Sequence, residues 1–160
     1  MTGWHALELQ VLREQLTPYG CALLAPYAIG EQPLEIDAVV RSARLFEHQK
    51  RTLWMLHHLF RKHTILEIKS VAESFTVPKF QKLLGYSHLY LWKEELSEDD
   101  IASVALVTHV PEQLLAIRKW KRLSKGFYQL AHGFLVSLVA VNELPIRSVL
   151  LILQNFRNWL

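Results

Sequence analysis

Apolar residues recur at helical spacing from the start of the chain. Leu9, Leu12 and Leu16, with Leu7 and Val11 beside them, predict an amphipathic helix over 5–16 that Thr17-Pro18 ends. Cys21 to Tyr27 is a short apolar run. Leu34 to Val40 alternates with period two, with Leu34, Ile36 and Ala38 on one face and Glu35, Asp37 and Val39 on the other. These runs predict an antiparallel pair closed by the turn residues Ile29-Gly30-Glu31-Gln32-Pro33. In 44–63, Leu53, Leu56 and Phe60 favour a helix, with a twisted extension of the sheet as the alternative. Thr64 to Val71 reads as a strand. A long helix is expected from near Pro78 to Glu95, with Thr76 as its cap and Phe80, Leu83, Leu84 and Leu91 along it.

Glu98-Asp99-Asp100 marks an exposed loop, and Ile101 to Val110 reads as a buried strand stopped by Pro111. Glu112 to Ser124 predicts another helix, Tyr128 to Val141 a hairpin through Gly133, and Pro145 to Leu160 a terminal helix. Strands and helices interleaved in this order predict an α/β fold, a mixed sheet with helical cover, in a single domain spanning 1–160. No internal repeat or linker interrupts it.

Composition narrows the functional classes. At 160 residues and 51% hydrophobic, the chain has enough apolar material for one core of ordinary size. The single Cys21 excludes a disulfide framework and a cysteine-rich zinc site, and suits a reducing, cytoplasmic setting. No signal-peptide core precedes Gln15, because His5, Glu8, Arg13 and Glu14 interrupt it. The most hydrophobic window, 133–153, carries Asn142, Glu143, Pro145 and Arg147, so no membrane span is expected. Isolated glycines exclude a phosphate-cradling loop, and no serine elbow supports covalent hydrolysis. The net charge of +3 permits a polyanionic partner without requiring one.

One constellation has a mechanism. Glu67 and Lys69 in Glu67-Ile68-Lys69 share a strand face, and Asp37 lies late in the preceding strand. If the two strands are neighbours, two carboxylates and an ammonium converge. Such a site suits a hard divalent cation that keeps waters for a substrate phosphate, with Lys69 beside the attacking water. The competing reading is an ion pair on a solvated strand face.

The order helix, strand, Asp strand, Glu-x-Lys strand, helix, strand resembles the core of the PD-(D/E)xK nuclease superfamily, the restriction-endonuclease-like fold. Trp4-His5, Leu34-Glu35-Ile36-Asp37 and the stretch Leu59–Tyr90 resemble a bacterial group within it, related to recombination-promoting nucleases and transposase-like proteins. The resemblance covers about residues 4–110. It implies a mixed central sheet flanked by helices and a Mg2+- or Mn2+-dependent phosphodiester hydrolase acting on DNA, with RNA as the alternative substrate. Asp37 and Glu67 match the metal-binding acids, Lys69 the catalytic lysine, and Glu14, ahead of Glu8, the first-helix acid at the metal. Gln81 and Tyr86 are the weaker matches on the following helix. Superfamily nucleases that cut both strands often pair, so a homodimer is among the expected assemblies. The 30-residue step from Asp37 to Glu67 departs from the compact hairpin of many members. The alternative function is a catalytically inactive nucleic-acid-binding or protein-interaction module on the same fold.

Arg118, Lys119, Lys121, Arg122 and Lys125 hold 5 of the 18 basic residues within eight positions, a candidate sequence-independent phosphate-binding run. Trp120 among them either stacks on a base or packs into the core. The 8 histidines show no spacing suited to a dedicated metal site, although His109 closes a buried strand and could approach the acids. Tyr86 and Tyr90, one helical turn apart with Phe80 and Trp92 nearby, read as helix packing, with a recognition box as the alternative.

Overall fold

The structure is a computed structural model that describes residues 3–28, 35–42, 59–69 and 72–144. Helix α1 (Gly3–Leu16) leads through a 3-10 turn into β1 (Cys21–Leu24). A two-residue strand β2 (Tyr27–Ala28) and its partner β3 (Glu35–Ile36) precede β4 (Ala38–Ser42) and β5 (His63–Ile68). Helix α2 (Val77–Lys93) and β6 (Ile101–Val107) follow, then a five-residue helix α3 (Glu112–Ala116). Strands β7 (Lys121–Ser124), β8 (Phe127–His132) and β9 (Phe134–Ala140) complete the described elements. The chain is therefore an α/β protein built on a seven-stranded mixed sheet of order β1-β4-β5-β6-β9-β8-β7. The three central strands β5, β6 and β9 run parallel, and the flanking pairs are antiparallel. Among the described residues no helix is long and apolar enough to cross a membrane.

The period of two divides each central strand between two cores. On one face, Leu9, Leu12 and Leu16 of α1 pack with Val40, Leu66, Ile68, Val104 and Leu106. On the other, Phe80, Leu83 and Tyr90 of α2 pack with Val39, Ile65, Ile101, Ala105, Val136 and Leu138. Strand β6 is buried along its whole length because helices cover both its faces. Ser103, the polar residue on its α2 face, is satisfied by Ser87 at 2.6 Å, whose hydroxyl also reaches the Leu83 carbonyl at 2.7 Å.

Several expectations need correction. The 21–27 and 34–40 runs do pair, in the register Cys21↔Ser42 to Leu24↔Val39, but a bend at Asp37 breaks the second run. Ile36 accordingly joins the α2 core while Ala38 joins the α1 core, so the even alternation assumed across Asp37 does not hold. Strand β6 ends at Val107, leaving Thr108, His109 and Val110 as a connection. Thr76 occupies the N-cap position of α2 without a side-chain capping bond. The helix expected over 112–124 is only α3, and Lys121–Ser124 is a strand instead. Tertiary pairing overrides local propensity there, since β7 closes a hairpin on β8 through Lys125-Gly126. Gly126 makes that turn at φ +75°, and its carbonyl accepts a bond from Ala140 N–H at 2.7 Å. The expected terminal helix and residues 44–58 of the 44–63 segment lie outside the described residues; of the remainder, Leu59 and Phe60 are buried in the α1 core and His63 begins β5.

Candidate active site

Strand β4 runs antiparallel to β5 with Ala38 opposite Leu66, so one further step of the register brings Asp37 to Glu67. The bend at Asp37 turns its Oδ2 to accept a bond from Ile68 N–H at 2.8 Å. That amide anchors the carboxylate at the carboxyl end of β5. Glu67 shares the parity of Ile65 and is buried on the α2 face. Its Oε1 pairs with Lys69 Nζ at 2.6 Å. Lys69 N–H bonds the Leu106 carbonyl at 2.9 Å, which extends the β5–β6 ladder one step and holds the lysine beside the acids. Asp37 is thus brought, from 30 positions upstream of Glu67, to Glu67 and Lys69 at the carboxyl end of β5.

Three residues that sequence reading missed extend the cluster: Glu73, Lys79 and Lys82. Glu73 Oε2 lies 3.5 Å from Lys69 Nζ and 3.6 Å from Lys79 Nζ, and Lys79 also donates to the Ser74 carbonyl at 2.9 Å. Lys82 of α2 contributes positive potential at Glu67. Burial, reinforced by the charge of Asp37, pushes the Glu67 carboxyl above the usual carboxylate range against the pull of Lys69. Burial opposes the charge of Lys69, but its bond to Glu67 and the charges of Glu67, Asp37 and Glu73 outweigh it and raise its pKa. Lys69, with a smaller contribution from Lys79, holds Glu73 below its ordinary value. The only sequence sign of Glu73 is its position four residues beyond Lys69, which means nothing before the fold is known.

Glu14 does not join them. It is exposed on α1, accepts a bond from Gln10 Nε2 at 3.1 Å, and belongs to the helix on the opposite face of the sheet. The backbone of Glu8 is helical on the same element. Among the described residues no three His, Cys, Asp or Glu side chains converge on a point that could hold a metal ion. What remains is a two-carboxylate site of hard oxygen donors. With Glu67 Oε1 paired to Lys69 and Asp37 Oδ2 to the Ile68 amide, the remaining oxygen of each acid is the available donor. Two hard oxygen donors of this kind suit Mg2+ or Mn2+, which would take the rest of its shell from waters.

The other candidates fall elsewhere. Arg118, Lys119, Lys121, Arg122 and Lys125 are exposed at and beside β7, the edge strand of the sheet. From β5 to β7 is four strand spacings, roughly 19 Å. Trp120 takes the core alternative: its ring lies 5.6 Å from Phe80 against the α2 core, so it is no open stacking platform. Tyr86 is buried under Lys82, whose Nζ sits 5.1 Å from the ring centre, and Gln81 is exposed. Tyr90 is fully buried and its hydroxyl meets His63 Nδ1 at 2.7 Å and Arg41 Nε at 3.3 Å. Arg41 also pairs with Glu94 at 2.9 Å, which accepts from Tyr27 as well, a network that ties the end of α2 to β4 and β2. His109 lies exposed in the connection after β6 and lines a cleft beside Glu73. Compared with family models, curated proteins and solved structures, the chain matches none.

Proposed function

We propose that the chain is a Mg2+- or Mn2+-dependent phosphodiester hydrolase acting on DNA, of the PD-(D/E)xK type that its motifs resemble. The observation that carries this reading is the convergence of Asp37, Glu67 and Lys69 at the carboxyl ends of the parallel strands, where open α/β sheets place their ligands. Asp37 and Glu67 would hold the cation, which when bound polarises the phosphoryl oxygen and acidifies a water. Lys69 orients that water or meets the charge that develops on the phosphorus oxygens. Its partner Glu73 keeps the ammonium within reach of both acids. The basic β7 edge supplies sequence-independent phosphate contacts.

A second reading is a nucleic-acid-binding module without catalysis on the same fold. The direct Lys69–Glu67 pair and the exclusion of Glu14 favour it, because both reduce the oxygens offered to a cation. Plasmid cleavage with Mn2+ or Mg2+ separates the two. The hydrolase predicts nicking by wild type and none by Asp37→Ala or Lys69→Ala. Salt-sensitive DNA binding with no nicking by wild type would replace it with the second reading. Cleavage that survives both substitutions would assign the activity to another site.

A further inference from the structure

Next to the acid–lysine cluster lies a cleft of about 470 Å³ between the residues that lead into α2 and the connection after β6. That size is within the range of small-molecule sites. The lining includes Glu73, which contacts Lys69, so the cleft adjoins the proposed catalytic cluster. Phe75, His109 and Val110 supply aromatic and apolar wall, and Thr108 is part of the lining. Thr108 is only 4% exposed, and among the described residues its hydroxyl, closed off from solvent, has no hydrogen-bond partner.

Charge decides what enters. The lining carries two carboxylates, Glu73 and Glu112, and neither lysine nor arginine. Glu73 is already paired with Lys69 and Lys79, and among the described residues no cation lines the cleft to hold a phosphate, whereas a neutral heterocycle can donate its ring or exocyclic N–H groups to the Glu112 carboxylate and stack on an aromatic wall. We infer that this cleft receives one unstacked nucleobase adjacent to the phosphate held at Asp37, Glu67 and Lys69. The substrate class is therefore single-stranded nucleic acid, at an end or a flap, in preference to continuous duplex. A base within a duplex must first be unpaired and extruded, while a single strand avoids that cost. The substrate named here rests on the hydrolase reading; the base pocket itself does not.

The test compares fluorescein-labelled oligo(dT) with an equally long strand of abasic tetrahydrofuran sites, by anisotropy in EDTA so that no cleavage occurs. Both strands carry the same phosphates. Wild type should bind the base-bearing strand about tenfold more tightly, as expected for one good base–aromatic contact. Val110→Met, which narrows the cleft without adding a ring, should reduce that preference and leave abasic binding unchanged. His109→Ala, an exposed site that leaves folding undisturbed, should reduce the preference several-fold. Equal affinity for the two strands, or a preference that both substitutions leave undiminished, would overturn the pocket. A parallel assay with Mn2+ presents the same sequence as single strand and as duplex. Faster cutting of the duplex would overturn the substrate class while the hydrolase stands. Cutting of neither would remove the hydrolase and leave the base pocket to be decided by the binding result.

Discussion

Lys69 holds a position where removal of one atom group has two separable effects. It neutralises a Glu67 carboxylate that burial already disfavours, and its own side chain is 13% exposed. Deleting one partner of a largely buried pair costs about 3 kcal/mol, chiefly through the charge left behind. Lys69→Ala should therefore lose that order of stability at pH 7.5, measured by urea unfolding, as well as any cleavage. The penalty has a defined pH dependence. Glu67 titrates above its unfolded value, so its ionised form is the costly one, and stability falls as pH rises through the window from the ordinary carboxylate value to the raised one. Without Lys69 the proton is held more tightly still. The wild-type-to-variant difference should accordingly shrink between pH 7.5 and pH 5, and a gap independent of pH would mean that the charge is not the cause.

The same raised carboxyl must be ionised to bind a cation. Mn2+ at millimolar concentration should raise the melting temperature of wild type at pH 8 and less at pH 5.5, because ligands that bind only the folded state stabilise it. Asp37→Asn should lose that shift while keeping the bond from the Ile68 amide through its carbonyl oxygen. A wild-type melting temperature that ignores Mn2+ at every pH would remove the metal from the site.

At the scale of elements, the β7–β8 hairpin is where local propensity and tertiary structure part. The run 112–124 has a helix-forming composition, yet it breaks after α3 and continues as an edge strand. The turn depends on Gly126, whose φ of +75° is unfavourable to other residues, and an added Cβ would lie 2.7 Å from the Ala140 carbonyl oxygen. Because that oxygen is backbone, it cannot rotate away. Gly126→Ala should cost about 2 kcal/mol, read as a lower denaturation midpoint with unchanged slope. Trp120 immediately precedes β7 and packs, half-buried, on Phe80 against the α2 core. Trp120→Leu should destabilise the fold, with DNA affinity unchanged once the protein is folded.

At the scale of the whole molecule, charge is distributed by position in the sheet. Acids and lysines are paired at the carboxyl ends of the central strands, and exposed basic side chains line the β7 edge. Charges on an edge strand also keep it from pairing with another sheet, so their presence alone does not specify DNA. The salt dependence of binding discriminates. Replacing Lys121 and Arg122 by Ala should reduce the slope of log K against log salt by about 0.9 per lost duplex phosphate contact. Their exposure means that the melting temperature should be unaffected. An unchanged slope would restrict these residues to protecting the edge.

Sequence alone determined the α/β class, α1, the β1–β4 pair, β5, α2, β6 and the β8–β9 hairpin, because each carries its own hydrophobic period and turn residues. It also singled out Asp37, Glu67 and Lys69, since a two-residue spacing on a strand is a local property. Their convergence was not local. It required β4 to lie beside β5 in one register, and the bend at Asp37 to turn the carboxylate toward the Ile68 amide. Only the tertiary structure separated Glu14 from them, because α1 covers the face of the sheet that α2 does not. It alone brought in Glu73 and Lys82 and turned Trp120 inward. Which face an element covers is set by packing among distant segments, and no periodicity within one segment records it.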